Sequence, residues 1–495
     1  MYKQLFASLF CLSAVVPAHA ATFAVTTTNP NGPGSLREAI AALNAAPGNT
    51  HVIDFQINSI PSIITLDSEM LMIHKPAVGI TSSGLLRPTI SGADQYRIID
   101  LGPEVALFTI TDVDLMRGAT HLDGACLNAA MANTIVTRVK FTGCTAQREG
   151  GAIFAEASLT VRDSTFIDNQ ARSINGGTAA GGAISKMGTG NLIIEDSLFD
   201  GNMAWVLGNG GSSYGGAVAL NSSSTANRCI RCRFVDNESR RMTGLPILGN
   251  PSVYAGGAFF VQMGNLRVED SVFRNGYAQS HGGAIASYSP DALSIINTTI
   301  SGNYSRAGGG GVVDAGSGAP LRIVNSVFDS NGTLGGAPVS PAYSGAHLML
   351  GPNSNVEVYN SAFGSTQVSG EEVTSPNHCS VSGTGGSLSV TGSWNVRIAG
   401  EENCGLGGTV HAALHLGSWM KGTSGVERRT LLVNSPLLDA GSVAAPSTTG
   451  SACYTSDIDG TARPQDSNGD GVARCSIGPY ESTGEPSLFA NDFES

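Results

Sequence analysis

Lysine is almost missing from this chain, with five residues (Lys3, Lys75, Lys140, Lys186 and Lys421) in 495. No run of Lys or Arg occurs, and the net charge of −12 becomes −13 once Lys3 leaves with the leader described below. A protein that binds nucleic acid needs clustered cations to neutralise phosphates, so nucleic acid is excluded as a partner. Charged residues make up only 13%, against roughly a quarter in ordinary globular proteins. Beyond the leader, no stretch approaches the ~18 apolar residues that cross a bilayer, so no transmembrane segment is expected. There is no G-x-y period, which excludes collagen. The hydrophobic share of 41% is too high for a disordered chain.

The N-terminus carries Lys3, an apolar run from Leu5 to Val16, and the small-residue pattern Ala18-His19-Ala20. That is the grammar of a secretory signal peptide over residues 1–20, so the mature chain is expected to be exported to the cell surface, outer membrane or medium. Eight cysteines remain after cleavage: Cys126, Cys144, Cys229, Cys232, Cys379, Cys404, Cys453 and Cys475. An even number in an exported chain predicts four disulfides, and pairing in sequence order is the simplest connectivity. Cys229 and Cys232 have redox C-x-x-C spacing but no βαβ context, and are read as a structural bridge.

Glycine is abundant instead, at 64 residues, and much of it is periodic. Gly-Gly-apolar recurs at 150–153, 181–184, 215–218, 256–259, 282–285 and 310–313. Phe-x-x-Asn alternates with it, from Phe166 to Asn169, Phe199 to Asn202, Phe234 to Asn237 and Phe328 to Asn331, with Ile300 to Asn303 as a variant. Between them lie short alternating runs such as Leu159-Thr-Val161 and Leu266-Arg-Val268, each followed by Asp or Asn and a hydroxyl residue. Three to five residues of alternation punctuated by turn residues read as short strands. The pattern predicts an all-β, right-handed parallel β-helix with three strands per coil, and roughly 13–15 coils stacked at ~4.8 Å. Phe166, Phe199, Phe234, Phe273 and Phe328 should then form one continuous interior stack, with Asn at the corner passing hydrogen bonds between coils.

Ser35-Leu-Arg-Glu38 is a capping box that opens a short helix to about Asn44, with Leu36, Ile40 and Leu43 on one face as a lid for the first coil. The expected organisation is leader 1–20, N-terminal cap 21–50, coils 51–440, a disulfide-closed segment 441–483 and a flexible tail 484–495.

Gly-Gly-Ala-Ile alternating with Phe-x-x-Asn resembles the repeats of chlamydial polymorphic outer-membrane proteins. Gly34-Ser-Leu-Arg-Glu-Ala-Ile40 is similar to the N-terminal segment of CSLREA-type secreted β-helix proteins, with Gly34 in place of Cys. Asp457-x-Asp459-Gly460, Arg463-Pro464 and Ile477-Gly-Pro-Tyr-Glu481 resemble the C-terminal segment of choice-of-anchor β-helix proteins. The resemblance implies an exported surface β-helix and no particular chemistry, since this fold hosts adhesins, lyases and glycosidases alike.

Asp163, Asp196 and Asp270 recur at a turn position that later holds Asn297, Asn325 and Asn360, which reads as a hydrogen-bonding ladder rather than as paired catalytic acids. No Ser-His-Asp or H-E-x-x-H pattern is present. The segments joining Phe-x-x-Asn to Gly-Gly are more informative: short at 145–149, longer at 170–180 and 203–214, longest at 238–255, then short again. Equivalent loops in a solenoid leave one flank, so these predict a raised wall bearing Trp205, Tyr214, Arg240, Arg241, Tyr254, Tyr277 and His281, with Tyr304 and Arg306 beside it. Aromatic faces next to arginines suit sugar rings and acidic glycans. The functional expectation is a monomeric, adhesin-like binder of glycan or a surface protein, with a polysaccharide lyase or glycoside hydrolase as the alternative. Asp466-Ser-Asn468-Gly-Asp470-Gly matches the first half of a calcium loop, making Asp466, Asn468 and Asp470 candidate calcium ligands, although its twelfth position is Ile477.

Overall fold

In the computed structural model, the residues described are 20–207, 210–242, 253–289, 291–306, 308–314, 320–333, 345–366, 377–381, 389–398 and 404–482. Residues 1–19 of the expected leader and the expected tail 484–495 lie outside them. The alternation of short apolar runs with turn residues becomes a right-handed parallel β-helix. Sheet I has 13 parallel strands, including Leu159–Arg162, Leu192–Glu195 and Leu293–Ile296, and sheet II has 13, including Thr165–Ile167, Leu198–Asp200 and Val327–Asp329.

A coil has four strand positions, not three. After the Asn corner, two to four residues pair with the coils on either side before the Gly-Gly turn, giving an eight-stranded sheet III with Gln170–Ser173, Met203–Val206 and Glu238–Arg241. The residues after Gly-Gly form the ten-stranded sheet IV, with Ile184–Gly188, Val218–Ser222 and Phe259–Met263. Gly181 takes φ of +63°, and a Cβ on Gly182 would lie 2.0 Å from the Gly216 carbonyl oxygen of the adjacent coil, which is why both positions are glycine.

Equivalent side chains stack between coils. Phe141, Phe166, Phe199, Phe234 and Phe273 form a parallel column with centroid spacings of 4.6–4.8 Å. The expected continuous stack is broken there, because Ile300 occupies the next register position and Phe328 restarts a second column with Phe363 at 5.2 Å. Asn169 Nδ2 donates to Asn202 Oδ1 at 2.9 Å and Asn202 Nδ2 to Asn237 Oδ1 at 3.0 Å, so the corner amides pass hydrogen bonds along the solenoid axis. A second ladder runs through Ser164, whose N–H donates to Ser197 Oγ, and Ser326, whose N–H donates to Ser361 Oγ.

The helix Leu36–Ala45 is capped by Ser35 Oγ, which accepts the Glu38 N–H. It buries Leu36, Ala39, Ile40 and Leu43 in the same apolar cluster as Val25, Ile53 and Phe55, covering the edge of the first coil as its spacing predicts. The coils begin earlier than expected, since Ala21–Val25 already pairs in register with Thr50–Phe55. They also end earlier, at Thr409–His411, after which Leu416–Lys421 and Glu427–Leu431 form an antiparallel hairpin. The cysteines pair in sequence order: Cys126–Cys144, Cys229–Cys232, Cys379–Cys404 and Cys453–Cys475. Among the described residues no helix is long and apolar enough to cross a membrane.

The C-terminal segment folds back along the corner between sheets I and II. Asn360 Nδ2 donates to the Ser451 carbonyl, Asn325 Oδ1 accepts the Tyr454 N–H, and Asn297 Nδ2 donates to the Ser456 carbonyl. Three turns of the ladder thus hold one passing strand of chain. Arg463 and Glu481, both fully buried, form an ion pair at 3.0 Å, and Arg463 also donates to Asn297 Oδ1.

Candidate functional site

The geometry of the corner acids decides what they can do. Asp163, Asp196, Asp270, Asn297, Asn325 and Asn360 all have φ between +47° and +52°, the left-handed region that Asn and Asp tolerate best. Asp196 is held by Arg231 at 2.5 Å, and the neighbouring Glu195 by Arg162 and Arg228 at 2.9 and 3.0 Å. Burial pushes Asp270 up to about 6, while Asn297 donates to its Oδ1. These residues make turns and coil-to-coil pairs, in agreement with their reading as a ladder.

The loop wall is present where the connecting segments are longest. Among the described residues, only those three coils add a further short strand, and Ala179–Ala180, Ser213–Tyr214 and Tyr254–Ala255 pair as a parallel three-stranded sheet. Residues 208–209 and 243–252 of the longer connections lie outside the described residues. Buried hydroxyls fasten the base of the wall: Ser239 Oγ donates to the Ser213 carbonyl at 2.9 Å, and Ser280 Oγ accepts the Tyr254 N–H at 3.1 Å.

This geometry sorts the expected ligand-binding residues into three groups. Tyr254 is 1% exposed and packs with Ala171, Ala179 and Val206, so it pins the wall to sheet III and presents no face to a ligand. Arg241 is 8% exposed at an inward-facing position of its strand, with its N–H bonded to Gln279 Oε1, and it too serves the wall. Both are corrections: Arg241 faces inward because alternate residues of its strand face opposite ways, whereas both residues of Tyr254–Ala255 are buried.

Trp205, Arg240 and Tyr277 do share a face. On the outer side of sheet III, Arg172, Trp205 and Arg240 occupy successive register positions, one coil apart. The adjacent row is Gln170, Met203, Glu238, Tyr277 and Tyr304. Trp205 Nε1 donates to Gln170 Oε1 at 3.2 Å and Arg240 pairs with Glu238 at 3.0 Å, which fixes the ring and the guanidinium in place. Burial raises the Tyr277 and Tyr304 phenols above their ordinary value, so both stay neutral donors. Arg172 belongs to this face, and its signal was available: it lies two residues after Gln170, as Trp205 follows Met203.

Tyr214 and His281 lie across the wall, against sheet IV. Tyr214 stacks on Phe260 at 4.5 Å, and Tyr288 meets the same ring edge-on at 5.4 Å. His281 Nδ1 lies 3.3 Å from the Tyr288 hydroxyl, and burial lowers its pKa. A groove of about 140 Å³ opens here, lined by Glu149, Tyr214, Asn221, Phe260 and Gln262 among others. Glu149 accepts from Ser185 Oγ at 2.9 Å, and burial raises its carboxyl above the ordinary value. Glu149 stood out in no sequence motif, since its role depends on the wall overhanging sheet IV.

At the candidate calcium loop, Asp466 and Asp470 lie close together, and Asp439 brings a third carboxylate to them. Asn468 Oδ1 instead accepts the Asp470 N–H at 2.9 Å, inside the turn. Ile477 is 1% exposed in an apolar cluster and cannot ligate. Asp457 and Asp459 are engaged elsewhere, by the Thr461 and Glu481 N–H groups and by Arg428.

Neither a protein-family model nor a curated protein sequence matches this chain.

Proposed function

We propose that this chain is an exported β-helix of the secreted, polymorphic-repeat type, acting as an adhesin-like binder of acidic glycan through the outer face of sheet III. One observation carries the reading: Trp205 and Tyr277 lie half-exposed on a rigid sheet, with Arg172 and Arg240 at the register positions flanking Trp205. A flat ring can stack on each aromatic face, and a guanidinium fork matches a sugar carboxylate or sulfate bidentately. Rigid strands keep this spacing at one coil, so binding loses little conformational entropy. Pairing of all eight cysteines supports export to an oxidising compartment.

The test is retention on immobilised acidic polysaccharide. Trp205→Ala and Arg240→Ala should each weaken retention at least tenfold, equivalent to about 1.4 kcal/mol, with far-UV circular dichroism unchanged. Undiminished retention in both variants would remove the site from this face.

Hydrolysis is the second reading, and Glu149 favours it. Burial raises its carboxyl above the ordinary value beside an aromatic groove, the direction a general acid requires. Release of reducing sugar that disappears in Glu149→Gln would establish hydrolysis; the adhesin reading predicts no release.

A further inference from the structure

Asp439 is 3% exposed, and only one of its carboxylate oxygens is satisfied: Oδ1 accepts the Arg474 N–H at 2.8 Å, while Oδ2 is buried without a hydrogen-bond partner. Leaving a buried carboxylate oxygen unpaired costs about 1–3 kcal/mol or more, so such an atom asks for a ligand. The residue sits in the left-handed region, at φ of +52°. That turn brings its carboxylate to Asp466 and Asp470, with one ligand oxygen from each lying within 4.8 Å of the others. Among the described residues, no other group of three or more Asp, Glu, His or Cys side chains converges in this way.

We propose that Asp439, Asp466 and Asp470 bind one calcium ion, which ties the 466–471 turn to the 437–441 segment. The two exposed carboxylates are already oriented. Asp466 accepts the Gly469 and Gly471 N–H groups at 2.8 and 3.0 Å, and Asp470 Oδ1 accepts the Val472 N–H at 2.8 Å. Each oxygen keeps a second lone pair for a cation. Three carboxylates converging this closely repel one another, and a divalent cation relieves that repulsion. An all-oxygen set with no Cys or His fits a hard cation, and an exposed turn with room for water fits calcium's six to eight ligands better than magnesium's strict octahedron. The site adjoins the Cys453–Cys475 bridge through the Gly441 N–H, which donates to the Cys475 carbonyl at 2.8 Å. The ion and the disulfide would therefore clamp the same fold-back segment.

The experiment uses the disulfide-intact mature chain and calcium chloride. Calorimetry should find one ion per chain with a dissociation constant of about 10⁻⁴–10⁻³ M, the range of extracellular calcium modules. The melting temperature should rise with calcium and return to its starting value with chelator. Both responses should vanish in Asp439→Asn and in Asp470→Asn. The second variant alters an exposed residue, so it remains informative if the first fails to fold. Wild-type protein without heat or melting shift up to about 10 mM calcium, or an unchanged shift in Asp470→Asn, would overturn the proposal.

Discussion

Phe199 lies between Phe166 and Phe234 at 4.7 and 4.8 Å and is fully buried. Truncating it leaves a cavity that neighbouring coils cannot close, because their ladders fix the spacing. Phe199→Ala should cost about 3–5 kcal/mol in denaturant unfolding; a loss under about 1 kcal/mol would mean that the column does not support the core. His347 sets a pH dependence. It is fully buried, with Nε2 toward the Gly364 carbonyl at 3.0 Å and Nδ1 toward Asn331 Nδ2 at 3.1 Å, an arrangement that suits the neutral ring. Burial lowers its pKa to about 4, from an ordinary 6.5. The unfolded chain therefore binds the proton first as pH falls. The stability this histidine contributes is complete above about pH 6.5 and is lost progressively toward pH 4, by roughly 3 kcal/mol in all. Wild-type protein should lose stability over that window more steeply than His347→Gln, and parallel curves would contradict this. The Phe column was legible residue by residue, because a repeat states its own register. Its break at Ile300 runs against the expected continuous stack: Ile stands at the Phe position there, and one β-branched side chain fills the layer but cannot continue a ring stack.

The change from Asp to Asn along the corner ladder has its explanation at the level of elements. Asp163 and Asp196 line a corner that the 451–456 chain does not reach, whereas Asn297, Asn325 and Asn360 meet it. Asn297 and Asn360 donate to carbonyls of the passing backbone, which a carboxylate cannot do, whereas Asn325 only accepts, from the Tyr454 N–H. Asn360 does both, donating to the Ser451 carbonyl and accepting the Ser442 N–H. Asn297→Asp and Asn360→Asp should each weaken docking by about 1–3 kcal/mol. Limited proteolysis should then cut first within 441–482 while the coils stay intact, and a cleavage pattern identical to wild type would count against the docking role. No sequence pattern reveals this contact, because its partners lie 91–159 residues apart. The sheet III strand was hidden for another reason: in five of its eight occurrences it is two residues long, too few to show alternation.

For the whole molecule, stacking at one-coil spacing turns short, unremarkable strands into long rows of like-positioned side chains. Many arginines are spent pairing with acids of the same or adjacent coils, as in Arg138 with Asp112 and Arg322 with Glu357. Arginine–aromatic contacts also occur away from sheet III, as in Arg267 over Tyr454 and Arg274 over Trp419, and the row on sheet III is the one proposed to bind glycan. Loop lengths alone located the wall in the sequence. Which wall residues face outward was not legible, because that depends on the alternation within Met203–Val206 and Glu238–Arg241, and these strands were read as loops. The account turns on whether the outward row binds glycan, and Trp205 reports on that directly. Tryptophan fluorescence should change saturably when acidic polysaccharide is titrated into the wild-type chain, and the change should disappear in Trp205→Phe, although Trp394 and Trp419 remain. A flat wild-type titration, or a response that persists in Trp205→Phe, would contradict the assignment.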